Sequence, residues 1–294
     1  VDIDVLGALA VRENGISITP TAPKPRQVLA LLALHADQVV PVSALIEELW
    51  AGEPPRSART TLQTYVLQLR ALIATALEQG ARPGQAPAAD PAAAYPAPGG
   101  GAAVRTAKDV LVTLPGGYLL SSGGGTLDVR EFDRLAGTGY RAMDAGDFAG
   151  AARLLREALA LWSGPAFADV HGGVQLDMET RRLEETRLCA LDQRIEADLR
   201  LGRHRELLAE LTVLATRYRT HENLHGQFML ALHRSGRRGE ALDVYQRLRQ
   251  TLVRELGLEP SAALRRLQRS ILMAGPENPA ETGAEPGGER LVRV

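Results

Sequence analysis

The chain has one cysteine, Cys189, so no disulfide can form within it and a reducing compartment is expected. Its context, ETRLCALDQR, is helical, and a buried helix residue is expected there before a reactive thiol. No apolar run reaches transmembrane length and no secretory leader is evident, so a cytoplasmic protein without membrane contact is expected. Lysine is nearly missing: apart from Lys24 and Lys108, all of the 34 basic residues are arginines. Net charge is nearly missing too. At −1 it argues for neither a chain basic throughout nor a disordered acidic one. There is no G-x-x-x-x-G-K-[ST] loop, no cleft-like carboxylate pair and no Ser-His-Asp set with recognisable spacing. Neither an enzyme nor a bound cofactor is expected.

What is present falls into two parts, as 294 residues allow. VDIDVLG, ALAVRE and ISITPT are β-type runs, with the turn pair Asn14-Gly15 between two of them. PKPRQVLALLALHA then predicts a helix with Val28, Leu29, Leu31, Leu32 and Leu34 inward, and PVSALIEELW a second with Val42, Leu45, Ile46 and Leu49. AGEPPRS breaks the chain. In the third helix, ARTTLQTYVLQLRALIATAL, Leu62, Val66, Leu69 and Ile73 form one buried stripe. Thr60, Thr64, Gln68 and Ala71 fall opposite, with Ser57 near them, and Arg59, Gln63 and Arg70 on one flank. The Ala-, Pro- and Gly-rich stretch 79–107 has no periodicity to pack and is expected to be disordered. DVLVTLPGGYLLS then predicts a hairpin.

Strands, three helices and a terminal hairpin predict a winged helix-turn-helix over 1–121. From 126 to 274 the pattern is helical with a weak repeat. Gly146, Gly202 and Gly236 each precede apolar pairs, Ala151–Ala152, Leu207–Leu208 and Ala241–Leu242, and then Leu155, Leu211 and Tyr245. The last two glycines are 34 residues apart, the tetratricopeptide period. The wider first interval leaves room for an insertion around WSGPAFADVHGGV. The fold expected is mostly α with a small β component: a winged helix, then an all-α tetratricopeptide-like domain whose helix pairs stack. Residues 275–294 read as a disordered tail.

Residues 221–225, HENLH, spell a zinc-protease motif, with two histidines on one helix face. The extended motif needs Gly at 228 and His at 231, where Phe228 and Ala231 stand. His233 lies ~18 Å from His221 along a straight helix. No metal is expected. Thr220 reads as the N-cap of a repeat helix.

Two stretches carry a family resemblance: VLGALAV…KPRQVLALLALHADQVVPVSALIEELWAGEPPRSARTTLQTYVLQLRALI…VLVTLPGGYLL, and GRRGEALDVYQRLRQTLVRELGLEPSAALRRLQRSIL with DVREFDRLAGTGYRAMDAGDFAGAARLLREALALWSGPAFADV before it. Together they resemble the Streptomyces antibiotic regulatory protein family, which joins an OmpR-type winged helix to a bacterial transcriptional activator domain. The resemblance implies a transcriptional activator of a secondary-metabolite gene cluster. It implies double-stranded DNA as partner, direct repeats overlapping the −35 region, two protomers head to tail, and RNA polymerase holoenzyme facing the loop Trp50, Ala51, Gly52, Glu53, Pro54 and Pro55. Trp50 itself reads as a core anchor, and Trp162 as packing.

The residues add their own argument. No acid occurs between Glu53 and Glu78, while Arg56, Arg59 and Arg70 are there. Freedom from acids favours a helix that meets phosphate. Arg56, Ser57, Arg59, Thr60, Gln63 and Thr64 are expected to face DNA, with the first turn in the major groove. For Arg70, a DNA contact and a surface ion pair stand as alternatives. Lys24 and Arg26, at a helix start, are phosphate candidates or ordinary solvated charges. In the wing, Gly116 and Gly117 permit close approach, and Tyr118 is either a sugar–phosphate contact or, preferably, core. A rival reading is a repeat adaptor whose winged helix binds protein and not DNA.

Overall fold

The structure, a computed structural model, describes residues 1–80 and 105–274. They form two compact units, Val1–Arg194 and the residues from Ile195 onward.

The first unit opens with β1 (Asp2–Asp4), β2 (Ala10–Glu13) and β3 (Ile16–Ser17), an antiparallel sheet in that order. Asn14 and Gly15 close the β2–β3 hairpin at φ +52° and +77°, the two positive values that a type I′ turn needs. Ile3 and Val11 pair across the sheet and are fully buried. Helix α1 (Pro23–Leu34) starts with proline, which loses no helix hydrogen bond there. Its residues Val28 to Ala33 are all buried, so α1 runs through the core and shows no solvent stripe beside the expected apolar face.

After β4 (Val40–Pro41) come α2 (Val42–Trp50) and α3 (Ala58–Gly80), the helix-turn-helix. Helix α3 buries the expected stripe Leu62, Val66, Leu69 and Ile73. Of the stretch 79–107, Gln79 and Gly80 continue α3, residues 81–104 lie outside the described residues, and the chain returns at Arg105. Thr106 and Asp109 form a capping box on α4 (Ala107–Val110). Strands β5 (Leu111–Leu114) and β6 (Gly117–Leu120) make the wing, and the second sheet has the order β4-β6-β5. Pro115 and Gly116 turn the hairpin, Gly116 at φ +82°.

This unit does not stop at the wing. Helices α5 (Asp128–Asp144) and α6 (Phe148–Ala160) belong to it, as does α7 (Val174–Arg200) as far as Arg194. The insertion after α6 lies along the loop between β1 and β2. Ser163, Phe167 and Ala168 donate backbone hydrogen bonds to the carbonyls of Leu6, Val5 and Gly7. A Cβ on Gly7 would meet the Ser163 hydroxyl, which would have to turn away.

The second unit continues α7 and adds α8 (His204–Arg217), α9 (Glu222–Arg234), α10 (Arg238–Leu256) and α11 (Ala262–Met273). The repeat glycines have one shared role. Gly146, Gly202 and Gly236 end α5, α7 and α9 at φ +76°, +79° and +79°. The residue after each, Asp147, Arg203 or Arg237, donates to a carbonyl five positions back. Each is a left-handed stop between the two helices of a pair. Ala151, Leu207, Ala241, Leu155, Leu211 and Tyr245 are buried. The tail 275–294 lies outside the described residues.

Cys189 is exposed, contrary to expectation. Leu183 and Ala190, seven residues apart, hold the inward stripe of α7 there, and Cys189 lies one position off it. Trp50 is half-buried against the core. Trp162 packs edge-on to Phe132, ring centres 5.6 Å apart, with the Arg187 guanidinium 4.7 Å from its own ring centre.

Candidate nucleic-acid interface

The surface of interest is built by α3 and the turn before it. Its buried stripe fixes which side chains face out. Arg56, Ser57, Arg59, Thr60, Gln63 and Thr64 are all exposed, so the structure brings the expected group onto one face. Arg56 and Arg59 form no ion pair with any described residue. The first turn of α3 contains no acid, so nothing opposes the partial positive charge at that helix end. The Thr64 hydroxyl donates to the Thr60 carbonyl, 3.1 Å, which fixes its rotamer.

Sequence reasoning missed one member of this face. Leu67 is 64% exposed, and it stands one turn beyond Gln63 and Thr64. The signal was available: a leucine off the 62/66/69/73 stripe has no core to enter.

The other expected cations have internal partners. The half-buried Arg70 donates to the Leu111 carbonyl from Nε (3.1 Å) and Nη2 (2.7 Å), and from Nη2 to Thr113 Oγ1 (2.7 Å). It ties α3 to the wing, which is neither of the two alternatives read from sequence. The Lys24 ammonium donates to the Leu49 carbonyl at 2.7 Å and to Gln27 Oε1 at 3.2 Å, closing the last turn of α2. Arg26 pairs with Asp169 at 2.9 Å. Tyr118 is buried, opposite Thr113 and Val40 across the sheet. Gly117 is buried where a Cβ would strike the Val40 carbonyl, and Gly116 is exposed at the wing tip.

The loop between the two helices stands free. Ala51, Gly52, Glu53, Pro54 and Pro55 are exposed. Ala51 takes the left-handed conformation at the end of α2, φ +49°, and its N–H donates to the Glu47 carbonyl at 2.8 Å. Beneath the loop, the buried carboxylate of Glu48 accepts hydrogen bonds from Gln27 Nε2 (3.1 Å) and from the backbone N–H groups of Gly173, Gln175 (2.9 Å) and Leu176 (3.3 Å). Nothing in the sequence had marked this residue.

At HENLH, His221 and not Thr220 is the N-cap of α9, because its Nδ1 accepts from the Leu224 N–H at 3.3 Å. Glu222 Oε2 accepts from the Ser261 N–H at 2.7 Å. His221 and Glu222 therefore serve helix ends, and His225 is buried. Among the described residues, no three His, Cys, Asp or Glu side chains gather as a metal site. Nor is any described helix long and apolar enough to cross a membrane.

Comparison with known proteins fits this architecture. Residues 17–82 match the family model "Transcriptional regulatory protein, C terminal" and residues 127–272 match "Bacterial transcriptional activator domain". The regulatory protein DnrI of Streptomyces peucetius is 50% identical over 285 residues, covering 95% of this chain and 97% of that one. This chain belongs to the Streptomyces antibiotic regulatory protein family.

Within that family, the regulatory protein AfsR of Streptomyces coelicolor is 35% identical over 273 residues, 92% of this chain but 24% of the longer relative. Among solved structures, Mycobacterium tuberculosis EmbR in complex with a low affinity phosphopeptide superposes with a TM-score of 0.76 at 30% identity, covering 94% of this chain and 66% of that one. The chain is thus a transcriptional regulator of the antibiotic regulatory type, with a winged helix followed by an all-α domain.

Proposed function

We propose that this regulator activates transcription by placing α3 in the major groove of double-stranded DNA, at direct repeats near the −35 region of a secondary-metabolite gene cluster. The observation that carries the reading is the acid-free exposed face of α3. Arg59 and Gln63 supply bidentate donors for base edges, Arg56, Ser57 and Thr60 supply phosphate contacts beside the helix N-terminus, and Thr64 faces DNA beside them with its hydroxyl proton already given to the Thr60 carbonyl. Leu67 sets its methyl groups where a thymine methyl has an apolar partner. Arg70, Lys24 and Arg26 hold the frame rigid and are not primary contacts.

In this reading the exposed loop 51–55 meets RNA polymerase holoenzyme. The loop's residues are exposed, and Glu48 and Lys24 fix its near end. Two protomers bind head to tail, because a direct repeat presents the same face twice in one orientation. The test is selection from sheared genomic DNA of the source organism, with an Arg59→Ala/Gln63→Ala variant in parallel. Enrichment of direct repeats upstream of a few genes, lost in the variant, supports the reading. Equal recovery by both proteins overturns it.

A further inference from the structure

The second unit holds a groove that the DNA-binding reading leaves unused. Helices α8 and α10 both pack on α9, and between them opens a cavity of about 390 Å³. Its floor includes Phe228 of α9 and Leu248 of α10, both buried. Its walls bear Arg219, Arg247 and Arg254, threonines of α8 and α10, and no acidic residue. In a chain of net charge −1, such a concentration of one sign in one recess sets up a local positive field.

The arginines are available. Arg219 and Arg254 share a single carboxylate, Glu255, at 3.2 Å each. All three are substantially exposed, and exposed pairs of this kind contribute little and exchange readily. Arg247 closes no salt bridge with a described residue. Its charge reaches Glu240, but that carboxylate pairs with Arg237.

Spacing narrows the occupant. Arg247 and Arg254 are two helical turns apart on one face of α10, about 10.5 Å. A polyproline-II segment brings every third side chain back to the same side after about 9.3 Å, a difference that flexible arginines absorb. Carboxylates at positions i and i+3 of such a segment reach both guanidiniums, while a small apolar side chain between them meets the floor.

We propose that the α8–α10 groove docks an extended acidic segment of a partner protein, with acids every third residue. The inference stands independently of the α3 reading, since no residue is shared.

The test uses the full-length protein and a fluorescein-labelled peptide of four Glu-Pro-Leu repeats, read by anisotropy at low salt. The same peptide with Gln for Glu is the control. Arg247→Gln and Arg247→Glu are compared with the parent after their melting curves are matched. The expected result is binding of the Glu peptide only, weakened about threefold by Arg247→Gln and at least tenfold by Arg247→Glu, with duplex binding unchanged. Three outcomes overturn the proposal: no binding of the Glu peptide, equal binding of both peptides, or loss of duplex binding in the Arg247 variants with peptide binding intact.

Discussion

Glu48 Oε2 accepts a hydrogen bond from the backbone N–H of Gln175 at 2.9 Å, joining the last turn of α2 to the start of a helix more than 120 residues away. Gly173 and Leu176 donate to the same carboxylate. The buried carboxylate is supplied with donors there because the start of a helix leaves backbone N–H groups without partners inside the helix.

Removing that carboxylate strands the donors. Glu48→Ala is expected to cost about 2–4 kcal/mol, the scale for leaving buried groups of a charged hydrogen-bond network unpaired. Urea unfolding of the parent and variant measures it. A loss under ~0.5 kcal/mol would show that water replaces the side chain there.

Arg59 and Gln63 separate specific from general binding. Each alanine substitution is expected to lower affinity for the selected repeat by about 1–3 kcal/mol, roughly 5- to 150-fold, with little change for unrelated duplex. Arg56→Ala is expected to weaken both duplexes alike and to reduce the salt slope by about one. Titrations at several salt concentrations distinguish these patterns.

Leu67→Ala should leave stability within about 0.5 kcal/mol, because the side chain is 64% exposed. It is expected to cost roughly 1 kcal/mol of affinity for a site containing the contacted thymine. Replacing that thymine by uracil removes the methyl group and should erase the difference between parent and variant. A variant that loses equally on both duplexes would disprove the methyl contact.

Arg70→Ala should behave in the opposite way to Arg59→Ala. Its three hydrogen bonds hold the wing, so a stability loss of about 1–2 kcal/mol is expected. The salt slope of DNA binding should stay nearly unchanged, since no phosphate contact is lost.

Burial pushes His225 below the ordinary histidine range, and the charges of His221 and Arg247 act in the same sense, while the carbonyls of Tyr218 and Ala215 oppose them. His204 is lowered too, first by burial and then by Arg234. The folded chain therefore keeps these rings neutral where the unfolded chain, near pKa ~6.5, already binds protons. By linkage, their contribution to stability is complete above about pH 7 and declines as pH falls through the unfolded value. The stability difference between the parent and a His204→Gln/His225→Gln variant should narrow from pH 7.5 to pH 5.5. Denaturant melts at both pH values check it.

Several features were legible in the residues because their causes are local. The type I′ turn follows from Asn14-Gly15, the outward face of α3 from the spacing of Leu62, Val66, Leu69 and Ile73, and the helix stops from the three repeat glycines. A backbone conformation or a 3.6-residue period acts within a few neighbours, so the sequence alone determines it. What Arg70, Lys24, Arg26 and Glu48 do was not legible. Each is a charge whose partner is a backbone group or an acid brought near only by folding: the Leu111 carbonyl, the Leu49 carbonyl, Asp169 and the N–H groups at the start of α7. Charge and period alone cannot separate a solvated arginine from one that braces a wing. The sequence by itself determined the main helices and hairpins, the outward polar face of α3 and the family; the tertiary structure decided which charges remain free to act and which hold the frame, because a hydrogen bond needs its acceptor within about 3 Å, and only the fold brings it there.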